Sequence, residues 1–289
     1  MGLFFAVLAS ISFVTLDVLR KILGTRIPAS QVVIGINLGA APIFLFLLAW
    51  TGDWEFDSVF LFIGILEAIT FSITSVLYVQ AVSLSPLSLT IPYLGLTPVV
   101  SLLMAMISIG EVPTIRGLLG VILVVVGAIA LHLGKGTNVA ALLRAPFQEP
   151  GSWRMMIVAI VWGITTSLDK IAIQHGSEAL LGLFLTLGSA MILIASRNLR
   201  KEFGSANGIP RVRSNWQPLL AVAAVVGAVA VLAQFYAYRY LLVAYVESVK
   251  RAGGLLSVLI GFAFFGEEGL VYRIPAALII LSGAFLVLT

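Results

Sequence analysis

Runs of about twenty apolar residues recur ten times along this 289-residue chain, joined by short polar connections. A helix rises about 1.5 Å per residue, so a run of ~20 residues matches a hydrocarbon core of ~30 Å. Such repetition identifies a helical membrane protein. Composition agrees: 60% of residues are hydrophobic and 10% charged, against roughly 25% charged in ordinary globular domains. The expected fold class is an all-α membrane protein of ten transmembrane helices. The spans fall near 2–22, 31–50, 57–82, 86–109, 115–134, 154–174, 178–196, 216–241, 244–265 and 270–288. The first run, GLFFAVLASISFV, has no basic region before it and flows into Asp17. It is therefore expected as span 1 and not as a cleaved signal.

The chain is also internally duplicated. A shift of 156 residues places Ser101 on Ser257, Gly110-Glu111 on Gly266-Glu267 and Gly127-Ala128 on Gly283-Ala284. Five spans per copy is an odd number, so the second copy enters the membrane in the opposite sense. The expectation is two inverted five-helix repeats, 1–135 and 154–289, with a site near the midplane between them. The linker between them, 136–153, includes Val139 to Phe147 as a short interfacial helix ending at Pro146. Twelve Lys and Arg residues fall in connections 1–2, 5–6, 7–8 and 9–10, and three on the other side. That asymmetry puts those connections in the cytoplasm and both termini outside.

Charge inside the spans is the functional signal. Lys250 and Arg251 lie about two turns into span 9, beside Glu247, and their counterparts in the first copy are Leu94 and Gly95. Adjacent intramembrane cations cost a few kcal/mol each unless they face a polar cavity or a partner. Asp169 in span 6 lies at a depth similar to Lys250, so an ion pair of Asp169 with Lys250 or Arg251 is expected. Glu67, the acid nearest the midplane, is the candidate proton carrier. Polar stripes at helical spacing run through span 3 (Glu67, Thr70, Thr74, Tyr78) and span 4 (Thr90, Tyr93, Thr97, Ser101). Span 6 (Trp162, Thr165, Thr166, Asp169) and span 9 (Glu247, Lys250, Gly254, Ser257) repeat the pattern. The hydroxyls read as stitches between helices, and the charges read as cavity lining.

Pro92 and Pro98 should kink span 4. Small residues Gly120 and Gly127 in span 5, and Ala223, Gly227 and Ala230 in span 8, should mark close helix packing. Arg20, Lys21, Lys170 and Arg239 lie near span ends, where snorkelling to water is the default. The two Gly-Glu turns read as helix ends with a carboxylate at the water boundary. The chain has no Cys, and its two histidines, His132 and His175, lie far apart near span ends. With no HExxH, GxSxG or phosphate-binding glycine loop, enzyme readings fail. No metal or cofactor is expected, and a net charge of +4 requires no nucleic-acid partner.

Several features together resemble the drug/metabolite transporter superfamily, specifically its EamA-type permeases. They are the Gly-Glu turns at Glu111 and Glu267, the segment SLSPLSLTIPYLGLTPV, Trp162-Gly163, and the Leu-Asp motifs at Asp17 and Asp169. The resemblance implies a multi-pass carrier of the plasma membrane, a monomer or homodimer, usually with cytoplasmic termini; the charge count says the reverse. The substrate expected is a small anionic or zwitterionic metabolite, moved by alternating access, with a proton or counter-substrate as coupling partner. Lys250 and Arg251 would meet its acidic group, with Asp169, Glu247, Trp162, Tyr93 and Tyr78 around its body. Two alternatives remain open: proton-coupled export of a cation or amine held by Glu67 and Asp169, and a lipid-headgroup flippase-like membrane subunit.

Overall fold

The computed structural model describes residues 1–130, 149–196, 216–265 and 270–288. Among them the backbone is helical throughout, without strands. The stretches are labelled α1 (Gly2–Gly24), α2 (Ala29–Thr51), α3 (Ser58–Leu84), α4, α5 (Ile115–Ala130), α6 (Pro150–Gln174), α7, α8 (Gln217–Tyr238), α9 (Val243–Phe265) and α10 (Leu270–Leu288). Two are composite: α4 joins Leu87–Thr90, a 3-10 segment Ile91–Leu96 and Thr97–Ser108, and α7 joins Glu178–Leu183, a π segment Phe184–Gly188 and Ser189–Ala195. The helices α1, α2, α3, α6, α7 and α8 are each long and apolar enough to cross a membrane. Shorter apolar stretches occupy Tyr93–Ser108, Ile115–Ala128 and Pro275–Val287. The expected interfacial helix, His132, Lys135, the Gly266-Glu267 turn and the side chains of Ser257 and Arg273 lie outside the described residues.

Local chemistry explains where the helices begin and break. Asp57 caps α3 by accepting from the Val59 and Phe60 amides at 2.9 and 3.0 Å, which satisfies donors that the first turn cannot pair internally. Ser177 does the same for Leu180 at the start of α7. Pro150 opens α6, four residues earlier than expected, because proline's missing N–H costs nothing in a first turn. In α4 the two prolines bracket a change of winding. The Thr97 N–H bonds the Leu94 carbonyl, a three-residue step, where proline has removed the donors of regular α-helix.

The packing has an internal two-fold pattern. Helix α1 lies against α8 and α9, while α6 lies against α3 and α4. Replacing each first-half helix by its counterpart five places on turns the first set of contacts into the second. The pairs α5–α10, α2–α7 and α4–α9 also pack together, and each maps onto itself under the same exchange. The closest approach is between α5 and α10. A Cβ on Gly120 would come within 2.6 Å of the Gly283 carbonyl oxygen, and one on Gly283 within 2.6 Å of the Gly120 oxygen. A Cβ on Gly127 would come within 3.0 Å of the Ala276 carbonyl, so the small residues of α5 mark close packing as expected. Ala223 and Ala230 of α8 are fully buried. Gly227 differs: a Cβ there would find only ordinary contacts with Ile36 at 3.5 Å and Leu16 at 3.7 Å.

Near the helix ends Lys170 and Arg239 both pair with acids, Lys170 mostly buried and Arg239 with its side chain 52% exposed. Lys170 Nζ donates to Glu111 Oε1 at 2.5 Å and to the Leu241 carbonyl at 3.0 Å. The other Glu111 oxygen accepts from the Val243 amide at 2.9 Å, capping α9. Gly110, at φ 68°, turns the chain so that this carboxylate points inward; the side chain is only 10% exposed. The Gly-Glu turn is thus a latch between the α4–α5 connection, α6 and α9, and not a carboxylate left at the water boundary. Arg239 likewise pairs with Glu178. The latch and an Asp57–His175 contact of 2.6 Å gather the α2–α3, α4–α5, α6–α7 and α8–α9 connections at one end of the bundle. At the opposite end, Ser85 Oγ accepts from the Gly151 amide at 3.1 Å and donates to Glu149 at 3.3 Å.

Candidate functional site

Helices α1, α2, α3, α4, α6, α7, α8 and α9 line a cavity that is partly open to the outside. Its lining carries seven ionisable side chains of opposite sign: Asp17, Glu67, Asp169 and Glu247 against Arg20, Lys250 and Arg251. Of the residues expected at the site, Lys250, Arg251, Asp169, Glu247, Trp162, Tyr78 and Glu67 all face this space. Tyr93 does not. It packs with the cluster that holds Tyr78, Leu87 and Met155, while its neighbours Ile91 and Leu94 reach the cavity. The cause is the 3-10 winding of Ile91–Leu96, which advances about 120° per residue instead of 100° and rotates the stripe away. The other members of that stripe bond backbone: Thr97 reaches the Ala159 carbonyl at 3.3 Å and Ser101 the Pro98 carbonyl at 3.1 Å.

Two charged groups stand at different levels of the cavity. The first is built on α9. One helical turn places Glu247 beside both cations: Lys250 Nζ donates to Glu247 Oε1 at 2.6 Å, and Arg251 Nη2 to Glu247 Oε2 at 3.1 Å. Tyr238 donates its hydroxyl to the same carboxylate at 3.0 Å. Lys250 also donates to Gln234 of α8 and lies over the Phe13 ring, 4.6 Å from its centroid. The acid partnering both cations is therefore Glu247, not Asp169. Spacing explains the difference: an i, i+3 and i, i+4 acid on the same helix already sits within reach of both. Asp169 keeps Oδ1 without a hydrogen-bond partner, and so does the buried Oε1 of Glu67.

The second group joins α1, α3 and α6. Tyr78 donates its hydroxyl to Asp17 at 2.5 Å. The Tyr78 ring stacks on Trp162, with centroids 5.2 Å apart and planes 17° from parallel. Trp162 donates its indole N–H to Thr74 Oγ1 at 3.0 Å, fixing the ring. The Arg20 guanidinium sits over the Tyr78 ring at 5.0 Å from its centroid, a cation–π distance. Arg20 was expected to snorkel. Instead it is 7% exposed, with its guanidinium against the Tyr78 ring. Sequence reasoning did not place Arg20, Ser10, Asn37 or Gln234 at the site. Asn37 and Gln234 carried a signal, each being the lone amide in an apolar run.

A helical bundle that encloses a charged, aromatic-lined cavity between two related halves is the architecture of a membrane carrier. The chain belongs to the EamA-like transporter family, whose model matches residues 1–133 and 150–289. It is thus an integral, multi-pass membrane protein of the drug/metabolite transporter superfamily. Its fold is similar to that of a crystal structure 16% identical in sequence, covering 99% of this chain and 95% of that one at a TM-score of 0.70. No curated protein matches the chain.

Proposed function

We propose that the protein is a ten-helix secondary transporter that carries a small zwitterionic or anionic metabolite by alternating access between the halves 1–135 and 154–289. The observation that supports this most is the set of buried polar atoms without partners around the cavity. Arg20 Nη1 and Arg251 Nε are unpartnered donors, and Asp169 Oδ1 and Glu67 Oε1 are unpartnered acceptors. An unpaired buried polar atom costs roughly 1–3 kcal/mol, more when charged, so a ligand carrying both an acidic and an ammonium group would satisfy atoms of both kinds. Trp162, half-buried in the cavity lining, offers ring surface to its body, while Tyr78 is covered by Trp162 and Arg20. Glu67 is the group that would carry a coupling proton, with a counter-substrate as the other driving partner. On this reading the carrier works in the plasma membrane, as a monomer or homodimer, with lipid around it and no nucleic acid.

Thermal unfolding of the detergent-purified protein tests this with matched probes: natural amino acids, the amines left by removing the carboxylate, and the carboxylates left by removing the amine. Binding to the folded state raises the melting point by mass action, by about 2.7 kcal/mol of stability at a hundredfold excess over Kd. Zwitterions or carboxylates should raise it. The rival reading, an exporter of cations held by Glu67 and Asp169, is favoured by the same pair of unpartnered acid oxygens. Shifts with amines alone would establish it instead.

A further inference from the structure

We infer that Arg20 is the residue that receives the substrate's anionic group, a carboxylate or phosphate. The inference rests on the transport reading above and names the contact within it. Three cations line the cavity, and their partners differ. Lys250 is enclosed by Glu247, Gln234 and the Phe13 ring. Arg251 is paired with Glu247 through Nη2. Arg20 has no carboxylate within the 4.0 Å ion-pair distance among the described residues.

The nearest acid in sequence, Asp17, is one turn back on the same helix, and its carboxylate takes the Tyr78 hydroxyl at 2.5 Å. What Arg20 has instead is the face of Tyr78. That contact sets the guanidinium against the ring, with Nη1 buried and unpartnered. A buried guanidinium lacking an acid is unfavourable for folding alone, which is the pattern expected of a group kept for a ligand. The planar fork suits the two oxygens of a carboxylate or phosphate better than an ammonium would. Helix α6 offers nothing equivalent, since the position one turn past Asp169 is Ala172. The anion contact is therefore confined to one half.

The test uses the same probe sets. Arg20→Gln should weaken binding of carboxylate-bearing probes about ten- to hundredfold and leave the matched amines unchanged. Arg20→Lys, which retains charge but not the fork, should lie between and keeps the question answerable if the glutamine variant does not fold. The chain has no cysteine, so Arg20→Cys carries a single thiol. Modification by an aminoethyl methanethiosulfonate should restore carboxylate binding, modification by a sulfonatoethyl reagent should not, and bound probe should slow both reactions. Unchanged affinity in Arg20→Gln, or equal rescue by both reagents, overturns the assignment. If Arg251→Gln alone weakens carboxylates, the anion site belongs to α9 and the transport reading stands. If wild-type protein responds to no zwitterion or carboxylate, that reading falls too.

Discussion

The α9 group and the α1 group contain the same kinds of residue, yet in one the acid pairs directly with the cations and in the other it does not. Glu247, Lys250, Gln234 and Tyr238 bond one another within two adjacent helices, and Arg251 joins them through Nη2 while its Nε keeps no partner. Around Arg20 and Asp17, the tyrosine that covers the cation also donates to the acid, so the two opposite charges never meet directly. Closed networks hold a backbone in place, and open ones are available to bind. On the proposal above, the ligand-reading residue is marked by the state of its hydrogen-bonding partners and not by its depth or charge.

That contrast makes its sharpest prediction about stability. Glu247→Gln leaves two buried cations without their shared acid and should cost about 3–5 kcal/mol, the range for breaking one side of a buried pair. Thermal unfolding in detergent should show the largest loss for this variant. Arg20→Gln, by contrast, removes a cation that has no acid partner, and should leave the unliganded protein as stable as wild type or more so. Equal losses from both substitutions would erase the distinction between the two groups.

A smaller effect is expected at the latch that supports the start of α9. Glu111→Gln weakens the bonds to Lys170 and to the Val243 amide, at roughly 1.5–3 kcal/mol for hydrogen bonds to charged groups. Hydrogen exchange should then rise along the first turns of α9, where Glu247 and Lys250 lie, and not around Arg20 on α1. A double-mutant cycle of Glu111→Gln with Lys170→Met should show non-additive losses. Strict additivity would remove the latch.

The apolar helices and the Lys250-Arg251 pair at the cavity were legible in the sequence, because hydropathy and helical spacing are local properties. Glu247 was legible for the same reason, lying one turn from both cations. Arg20 was not: four residues from the end of α1, it resembles a snorkelling side chain, and its burial against the Tyr78 ring of α3 is a tertiary contact. Tyr93 was misplaced because regular 3.6-residue winding was carried through a stretch that its prolines wind more tightly. The π segment of α7, which brings Leu185 and Thr186 to the cavity, left no mark in the apolar pattern.

The smallest expected effect serves as a control remote from both groups. The Phe60 amide and the His175 ring, with the Val59 amide, hold the exposed Asp57 carboxyl below the usual carboxylate range. A depressed carboxyl stabilises the fold above the unfolded-state value of about 4 and loses that contribution as pH falls through its folded value. Asp57→Asn should therefore lower the melting point slightly at neutral pH, with the gap to wild type narrowing below about pH 4. Probe binding at the cavity should not change. A binding defect in this variant would mean that the two charged groups are coupled to the bundle end.

The reciprocal contact of Gly120 with Gly283 has a mechanical consequence. Each glycine lacks the side chain that would interlock with the other helix, and each presents a carbonyl where a Cβ would collide. On the transport reading, such a contact resists separation but offers little friction to rotation, as an axle does. Rocking of one half against the other about this point would produce displacements proportional to distance from it. The charged residues of α1 and α9, on other helices, would then swing through a longer arc than the α5–α10 pair. A methyl group at either glycine would seize the bearing, leaving the cavity formed but its motion stalled.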